Sequence, residues 1–339
     1  MKTFIKHLGH YHPEGLIENS HFERSVETTS DWIIQKTGII ERRYLNDYNG
    51  ARPGLELSKR ALKTIKKNPT FNEQKIGMII CASTHDDIHY PSAGNLISEE
   101  LGIDVPVMQL KTACTSIAYA LYVARSLLQT SDMEEILIIT GEAFTRYVDY
   151  GDRTSCILFG DAGVALTISR NSGIFELVDV EIGGKGLEII QATRVSETSH
   201  LTPDDLVAEE MTPRKSYKNR RTDSEKKFQQ DGKKVFNFVI EEIPDKFKKF
   251  LRKNRFAIED VNFFISHQSN LVMMNQLCER IGISNEKHIY NVDLFGNTSS
   301  AGWASVLSQN IDHIPSASLV ATSAFGAGMT WSNLLFRKI

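Results

Sequence analysis

Cys114 is the residue of this chain best suited, by type and position, to covalent chemistry. It stands in the segment 112–116, directly before a run at 117–128 that is apolar on nearly every face and predicts a buried helix. A thiol at a helix N-terminus meets unpaired backbone N–H groups and the positive end of the helix dipole, and both favour the thiolate. Cys114 is therefore a candidate nucleophile; the alternative is a small buried hydrophobic residue.

Two further polar residues follow elements that end where α/β proteins bind their ligands. His267 comes after the apolar run 263–266, and Asn297 comes after a glycine in a turn-like stretch. Ligands of such folds bind at the carboxyl ends of strands, so both side chains are expected near Cys114. Taken alone, His267 is better explained as a structural histidine and Asn297 as a turn or helix cap. The three residues together favour a catalytic site.

The composition is that of an ordinary globular protein. The 339 residues can form two domains or one large duplicated unit, and the net charge of −3 favours neither nucleic acid nor membrane as a partner. The first residues lack the apolar core of a signal peptide and no run approaches transmembrane length, so a cytoplasmic location is expected. No cysteines form a CxxC pair, so no metal site is predicted, and Cys81, Cys156 and Cys278 are expected to pack in the core.

The chain also carries an internal duplication. Apolar strand-like runs alternate with helical segments, which predicts an α/β protein with buried sheets. Two similar halves are predicted, at about residues 1–170 and 171–339. Four pairs of matching segments recur in the same order: the helix ends at 101–103 and 281–283, the segments before small-residue helices at 112–116 and 295–301, the strand-like runs at 136–141 and 318–323, and the Phe-Gly segments at 159–163 and 325–329.

These motifs resemble the β-ketoacyl-acyl-carrier-protein synthase III family of the thiolase superfamily. The resemblance implies a thiolase-like duplicated five-layered αβαβα fold, an acyltransferase activity and a homodimer. It extends over essentially the whole chain and rests on residues 30–42 and on Thr112-Ala113-Cys114, Phe159-Gly160-Asp161-Ala162-Gly163, Ser266-His267-Gln268-Ser269-Asn270, Gly296-Asn297-Thr298-Ser299-Ser300-Ala301 and residues 324–331.

The resemblance implies that Cys114, His267 and Asn297 form a catalytic triad. Cys114 would take the acyl group of an acyl-coenzyme A primer, and malonyl-acyl carrier protein would lose carbon dioxide and attack that group, initiating fatty acid synthesis. His267 and Asn297 would donate hydrogen bonds to the developing enolate. The backbone N–H groups of Cys114 and Ala327 would form the oxyanion hole. Coenzyme A thioester is a substrate here, so no cofactor is implied.

Substrate contacts are implied in the same way. Trp32 and Arg153 match positions that flank the adenine of coenzyme A, and Phe325 matches a residue beside the nucleophile. Tyr90 matches an aromatic that reaches into the acyl tunnel of the partner subunit. Without the resemblance, Trp32 is a surface aromatic and Arg153 an ordinary ion-pairing arginine. Primer length, branching and aromaticity stay open.

The chain departs from the family pattern at several positions. Lys36 stands where arginine is common, Val272 where a carrier-docking arginine is frequent, and Ala327 where glycine is usual. The segment 214–227 carries seven lysines and arginines. It is interpreted as a solvated loop or, alternatively, as a docking surface for an acidic carrier protein or for coenzyme A phosphates.

Three other functions stay open. The first is a specialised relative that joins or transfers an unusual acyl or β-ketoacyl group in secondary metabolism. The second transfers the acyl group to an alcohol or amine without decarboxylation, and the third is a non-catalytic partner in a heterodimer, against which the complete triad argues. Asparagine at position 297 disfavours an elongating synthase, which carries histidine there. A degradative thiolase would need a second cysteine near 326–329, where this chain has none.

Overall fold

The computed structural model describes residues 2–47, 52–85, 87, 90–191, 203–207 and 228–339, so the basic segment 214–227 lies outside the described residues. The strands are β1 (Phe4–Tyr11), β2 (Gly15–Glu18), β3 (Glu41–Tyr44), β4 (Ile76–Cys81), β5 (Val107–Gln109), β6 (Glu135–Glu142), β7 (Ala162–Ser169), β8 (Phe175–Leu187), β9 (Ile190–Gln191), β10 (Gln229–Gln230), β11 (Phe263–Ser266), β12 (Leu319–Gly326) and β13 (Gly328–Lys338). The helices are α1 (Asn19–Phe22), α2 (Ser30–Thr37), α3 (Pro53–Lys66), α4 (Ala93–Leu101), α5 (Ser116–Thr130), α6 (Pro203–Val207), α7 (Gly232–Lys253), α8 (Leu271–Ile281), α9 (Val292–Phe295) and α10 (Gly302–Gln309).

The main sheet repeats one strand order in its two halves. Its nine strands run β11-β12-β13-β8-β1-β7-β6-β4-β5. In the first half β4 pairs parallel with β6, which pairs antiparallel with β7 and then β1; in the second half β11, β12, β13 and β8 pair in the same way. The halves join where Phe4 and Ile5 pair with Glu176 and Phe175. The internal duplication read from the sequence is thus visible in the strand order.

The helices arrange these strands in layers. Helices α3 and α4 pack on the strands of the first half, and α7 and α8 lie on the opposite side and cover those of the second half. Helix α5 contacts strands of both halves, and so does α10. This gives the αβαβα order, and the predicted thiolase-like α/β fold is confirmed. The contacts of α5 with strands of both halves explain why most of its faces are apolar, although Tyr122 on one side is exposed.

The ends of matching helices show the same repeat at residue level. Helix α4 ends at Gly102 and α8 at Gly282, whose φ angles of 66° and 93° lie in the left-handed region that favours glycine. Strands β6, β7 and β12 are buried along their whole length, as expected for strands covered on both faces. The division at 170/171 falls between β7 and β8 and stays a prediction.

The remaining cysteines pack as expected, since Cys81, Cys156 and Cys278 are all buried and free. Within the described ranges, no helix combines the length and the apolarity needed to cross a bilayer.

Candidate active site

Cys114 lies at a sharp corner of the chain between β5 and α5. The corner is a single 3₁₀ turn, Ala113–Thr115, that runs directly into α5. Ala113 has a φ of 51°, a left-handed conformation that costs a non-glycine residue about 1–2 kcal/mol. Strain of this kind collects at functional sites, where it aims a side chain away from the surrounding elements.

The second half of the chain repeats this corner. The 3₁₀ turn Ser299–Ala301 runs into α10, and Ser299 has the same φ of 51°. The two corners contact each other. The Ser299 hydroxyl lies within hydrogen-bonding distance of the nucleophile, with 3.6 Å between Oγ and Cys114 Sγ. The duplication therefore brings the two corners together at the candidate site.

The Cys114 thiol is not held as a thiolate. Burial raises its pKa to about 12; a hydrogen bond that Ser299 donates to the thiolate form opposes the increase, and the nearby charge of Glu142 adds to it. The expectation that the helix N-terminus favours the thiolate is therefore wrong for this structure, because loss of hydration outweighs the helix dipole. Cys114 must lose a proton as part of the reaction.

His267 follows β11 and is held by its backbone. Its N–H donates to the Ser323 carbonyl at 2.8 Å, and its ring meets Phe325 edge to face with 4.9 Å between centroids. Burial lowers the pKa of His267 to about 3, so the imidazole is neutral. Nδ1 is buried and has no hydrogen-bond partner among the described residues. A buried lone pair without a partner costs less free energy than a buried N–H without a partner. We therefore assign the unprotonated nitrogen to Nδ1 and the ring proton to Nε2.

Asn297 links the two halves and has a fixed amide. Its backbone N–H donates to the Leu158 carbonyl at 2.8 Å, and its own carbonyl accepts from Gly160 at 3.1 Å. Its side-chain Oδ1 accepts from the Ser299 N–H at 2.9 Å. The oxygen is thereby turned to the backbone, and the NH₂ group is the part that can donate to a ligand.

The three predicted catalytic residues line one cavity of about 490 Å³. Such a volume suits a small-molecule site. The aromatic rings of Phe144, Phe159 and Phe228 also line it, so much of the wall is apolar and suits an acyl chain. Phe325, Ala327, Lys36 and the Trp32–Arg153 pair belong to the same wall.

Trp32 and Arg153 lie against each other at this cavity. The Arg153 guanidinium carbon is 4.7 Å from the centre of the Trp32 ring, and Arg153 Nη1 donates to the Glu27 carbonyl at 2.6 Å. This is a cation–π contact between the two predicted adenine-binding residues. An adenine between them would have to take the place of the guanidinium on the indole face.

The end of β12 approaches the nucleophile closely. A Cβ on Gly326 would lie 2.9 Å from the backbone nitrogen of Cys114, so a side chain here would crowd the predicted oxyanion hole. The next residue, Ala327, has a φ outside the left-handed region, so alanine is accommodated where glycine is usual.

Val272 lies at the start of α8 and is 37% exposed. Its side chain carries no charge at the position where a carrier-docking arginine is frequent.

Tyr90 is the predicted substrate residue that stands apart. It is 92% exposed and does not line the cavity of its own chain. This exposure leaves the predicted contact of Tyr90 with a partner subunit as a prediction.

Sequence reasoning missed three polar residues behind the nucleophile: Ser299, Thr84 and Glu142. Glu142 is fully buried at the end of β6 and accepts hydrogen bonds from Thr84 and Ser300. Glu142 could have been predicted from the sequence, because a carboxylate at the end of an apolar strand is a recognisable signal. His267 was predicted from the same pattern, a polar residue at the end of an apolar strand.

Comparison with known proteins shows the family of the chain. The family model described as 3-oxoacyl-[acyl-carrier-protein (ACP)] synthase III matches residues 108–186, and the model for the C terminal of this family matches residues 251–338. The chain is 31% identical to a β-ketoacyl-[acyl-carrier-protein] synthase III of Clostridium perfringens, over 97% of both chains. The corresponding protein of Aliarcobacter butzleri is 29% identical, over 98% of this chain and 97% of its own length. The crystal structure of 3-oxoacyl-[acyl-carrier-protein] synthase III from Aquifex aeolicus superposes with a TM-score of 0.84, 25% identity and 99% coverage of both chains.

The fold and the cysteine-centred cavity define an acyltransferase of the thiolase type. Within that class, the chain belongs to the β-ketoacyl-acyl-carrier-protein synthase III family.

Proposed function

We propose that this protein condenses an acyl-coenzyme A primer with malonyl-acyl carrier protein, the initiating step of fatty acid synthesis, as a cytoplasmic homodimer. The observation that carries the proposal is the convergence of Cys114, His267 and Asn297 on one largely apolar cavity. The Trp32–Arg153 pair on the same wall supports a coenzyme A thioester as the primer. No cofactor is required, because the thioester is a substrate.

In the first half-reaction, Cys114 Sγ bonds to the acyl carbon and the bond from that carbon to the coenzyme A sulfur breaks. The thiol proton leaves Cys114, and coenzyme A departs as the free thiol. The backbone N–H groups of Cys114 and Ala327 stabilise the oxyanion of the tetrahedral intermediate.

In the second half-reaction, the malonyl thioester loses carbon dioxide and becomes an enolate. His267 Nε2–H and the Asn297 NH₂ group donate to its oxygen, which a neutral imidazole and a fixed amide are suited to do. The enolate carbon bonds to the acyl carbon, the bond from that carbon to Cys114 Sγ breaks, and the released thiolate takes a proton from water, which restores the resting thiol. No base has to remove a C–H proton in this step.

Intact-protein mass spectrometry tests the first half-reaction. The wild-type protein and Cys114→Ala are incubated with a panel of acyl-coenzyme A thioesters. A mass increase in the wild type alone is expected, and the primers that load identify the substrate class. If no thioester loads, the proposed primer class is wrong.

The second half-reaction is tested by adding a malonyl donor to the loaded enzyme. Malonyl-acyl carrier protein and malonyl-coenzyme A are compared because Val272 offers no charge for carrier docking. Release of carbon dioxide with loss of the adduct supports condensation. Loss of the adduct to an alcohol or amine without carbon dioxide would favour simple acyl transfer instead.

The homodimer and the role of Tyr90 have their own test. Light scattering on the purified protein is expected to give twice the chain mass. If Tyr90 reaches the partner's tunnel, Tyr90→Phe removes a polar group from it and shifts loading toward longer primers. A monomer, or an unchanged primer preference, would contradict this part of the proposal.

A further inference from the structure

A continuous chain of hydroxyl groups leads from the nucleophile to a buried carboxylate. Ser299 Oγ lies 3.6 Å from Cys114 Sγ and 2.6 Å from Thr84 Oγ1. Thr84 Oγ1 lies 2.9 Å from Glu142 Oε1. Thr84 is in the wall of the active-site cavity, whereas Glu142 has no exposed surface. The chain thus connects the cavity to a charge that substrate does not reach.

The surroundings of Glu142 hold one carboxylate oxygen in line with this chain. Besides the Thr84 hydroxyl, Oε1 accepts from the Thr84 backbone N–H at 2.9 Å and from the hydroxyls of Thr140 and Ser300. His85 stands behind the other oxygen, with 3.4 Å between Nδ1 and Oε2. His85 Nε2 accepts from the Ala143 N–H, and no hydrogen bond joins the His85 ring to Glu142 among the described residues.

Proton counting gives this chain two arrangements. Each hydroxyl carries one proton, and an ionised carboxylate only accepts. With Glu142 ionised, Thr84 donates to Glu142, Ser299 donates to Thr84, and the Cys114 thiol donates to Ser299. If each proton moves one position along the chain, Cys114 becomes a thiolate that accepts from Ser299, and Glu142 becomes protonated.

We infer that Thr84 and Ser299 relay the Cys114 proton to Glu142 as the thiol attacks its substrate, so that Glu142 is the base for acylation. The inference rests on the proposed function for the identity of the acyl donor. The bond from Sγ to the acyl carbon forms while the proton reaches Oε1, and the departing coenzyme A thiolate regains a proton through Ser299. No external acid or base is consumed.

The relay agrees with the contacts of the thiol. Among the described residues, the Cys114 thiol is hydrogen-bonded to Ser299 and not to the His267 ring, so the hydroxyl chain is the connected path for its proton. A carboxylate is a weaker base than a thiolate, and the burial of Cys114 increases the difference, so the transfer accompanies bond formation and does not precede it. Glu142 acts through Thr84 and Ser299 and does not have to touch the acyl group.

The test compares three variants in two reactions. Thr84→Val removes the middle hydroxyl, and Thr84→Ser keeps it. Thr322→Val removes a buried hydroxyl on β12 that has no hydrogen-bond partner among the described residues and is not part of the relay. Alkylation of Cys114 by iodoacetamide requires the thiolate but no acyl donor, and single-turnover loading from acetyl-coenzyme A requires both.

Thr84→Val is expected to slow both reactions about 10- to 100-fold, the range of general-base catalysis, and to lower the solvent isotope effect on loading. Thr84→Ser and Thr322→Val are expected to react almost as the wild type does. Equal rates for Thr84→Val and wild type, or equal slowing by Thr322→Val, would overturn the relay. If iodoacetamide alkylates wild-type Cys114 but acetyl-coenzyme A does not load it, the proposed primer class is wrong. The relay is then tested by the alkylation rates of the variants alone.

Discussion

At the scale of single residues, environment decides what each functional group can do. Cys114 and His267 both carry the protonation state that burial favours, a neutral thiol and a neutral imidazole. The pair is therefore not an ion pair in the resting site. The imidazole is instead prepared to donate from Nε2, which is useful only when a negative oxygen forms nearby.

Replacing His267 separates the two half-reactions. His267→Ala is expected to lower the rate of malonyl decarboxylation about 100- to 1,000-fold, because one of two enolate donors is lost. Loading of Cys114 from acyl-coenzyme A is expected to persist, since the imidazole is not its base. Rapid-quench mass spectrometry and release of labelled carbon dioxide measure the two steps. Equal loss of both would show that His267 acts in acylation.

The Trp32–Arg153 contact predicts a binding effect specific to the nucleotide. Trp32→Ala is expected to raise the half-saturating concentration of acyl-coenzyme A about 10-fold through lost stacking, with little change in the maximal rate. Acyl-pantetheine lacks the adenosine and serves as the matched control, which the substitution is expected not to affect. An equal effect on both thioesters would place the contribution of Trp32 elsewhere.

At the scale of elements, the glycines that end matching helices are held by backbone conformation alone. Gly282 has a φ of 93° and open space where a Cβ would stand. Gly282→Ala is therefore expected to lower the free energy of unfolding by about 1 kcal/mol through strain without any clash. Gly186 also has open space but no left-handed φ. Gly186→Ala is the control, and urea denaturation that shows equal effects would contradict the explanation.

The elements also show how far the sequence could be read. Cys114 was proposed because it directly precedes an apolar helical run, and His267 and Asn297 because they follow an apolar run and a turn, which are local patterns. Thr84 and Ser299 were missed because their partners are far away in the sequence. The protonation state of Cys114 was misjudged because the helix dipole is a local property, whereas burial depends on how the two halves pack.

Substrate contacts show a further difference. Trp32 and Arg153 lie far apart in the sequence, and only a family resemblance predicted that they lie on either side of one ligand. Their direct stacking was not expected, because the resemblance describes residues on either side of a ligand. Tyr90 remains a prediction, since its proposed place is in a second subunit.

At the scale of the whole molecule, buried neutral histidines predict sensitivity to acid. Burial lowers the pKa of His288 to about 4 and that of His7 to about 4, against 6.5 for the free side chain. Below pH 6.5 the unfolded chain takes up protons that the folded protein refuses, so stability falls as pH drops from about 6.5 to 4. Burial raises the pKa of Asp161 from 3.8 to about 6. Between these pH values the folded protein holds a proton that the unfolded chain has lost, so this group increases stability as the pH drops.

His288→Gln tests this balance. His288 is expected to contribute roughly 2 kcal/mol to the difference in the free energy of unfolding between pH 7 and pH 5. In His288→Gln this difference between the two pH values is expected to be smaller by that amount, whatever the stability of the variant at pH 7. Urea denaturation at both pH values gives the difference. A variant with the same pH dependence as the wild type would show that His288 does not couple folding to protons.

The paired corners before α5 and α10 carry different functional atoms at their equivalent position. Ser300 occupies in the second corner the place that Cys114 occupies in the first, one residue after a left-handed φ. In the second corner this position carries a hydroxyl, which donates to the buried carboxylate of Glu142. The repeated backbone turn therefore serves two purposes: one copy presents the reactive sulfur, and the other presents hydroxyl groups to that sulfur and to Glu142.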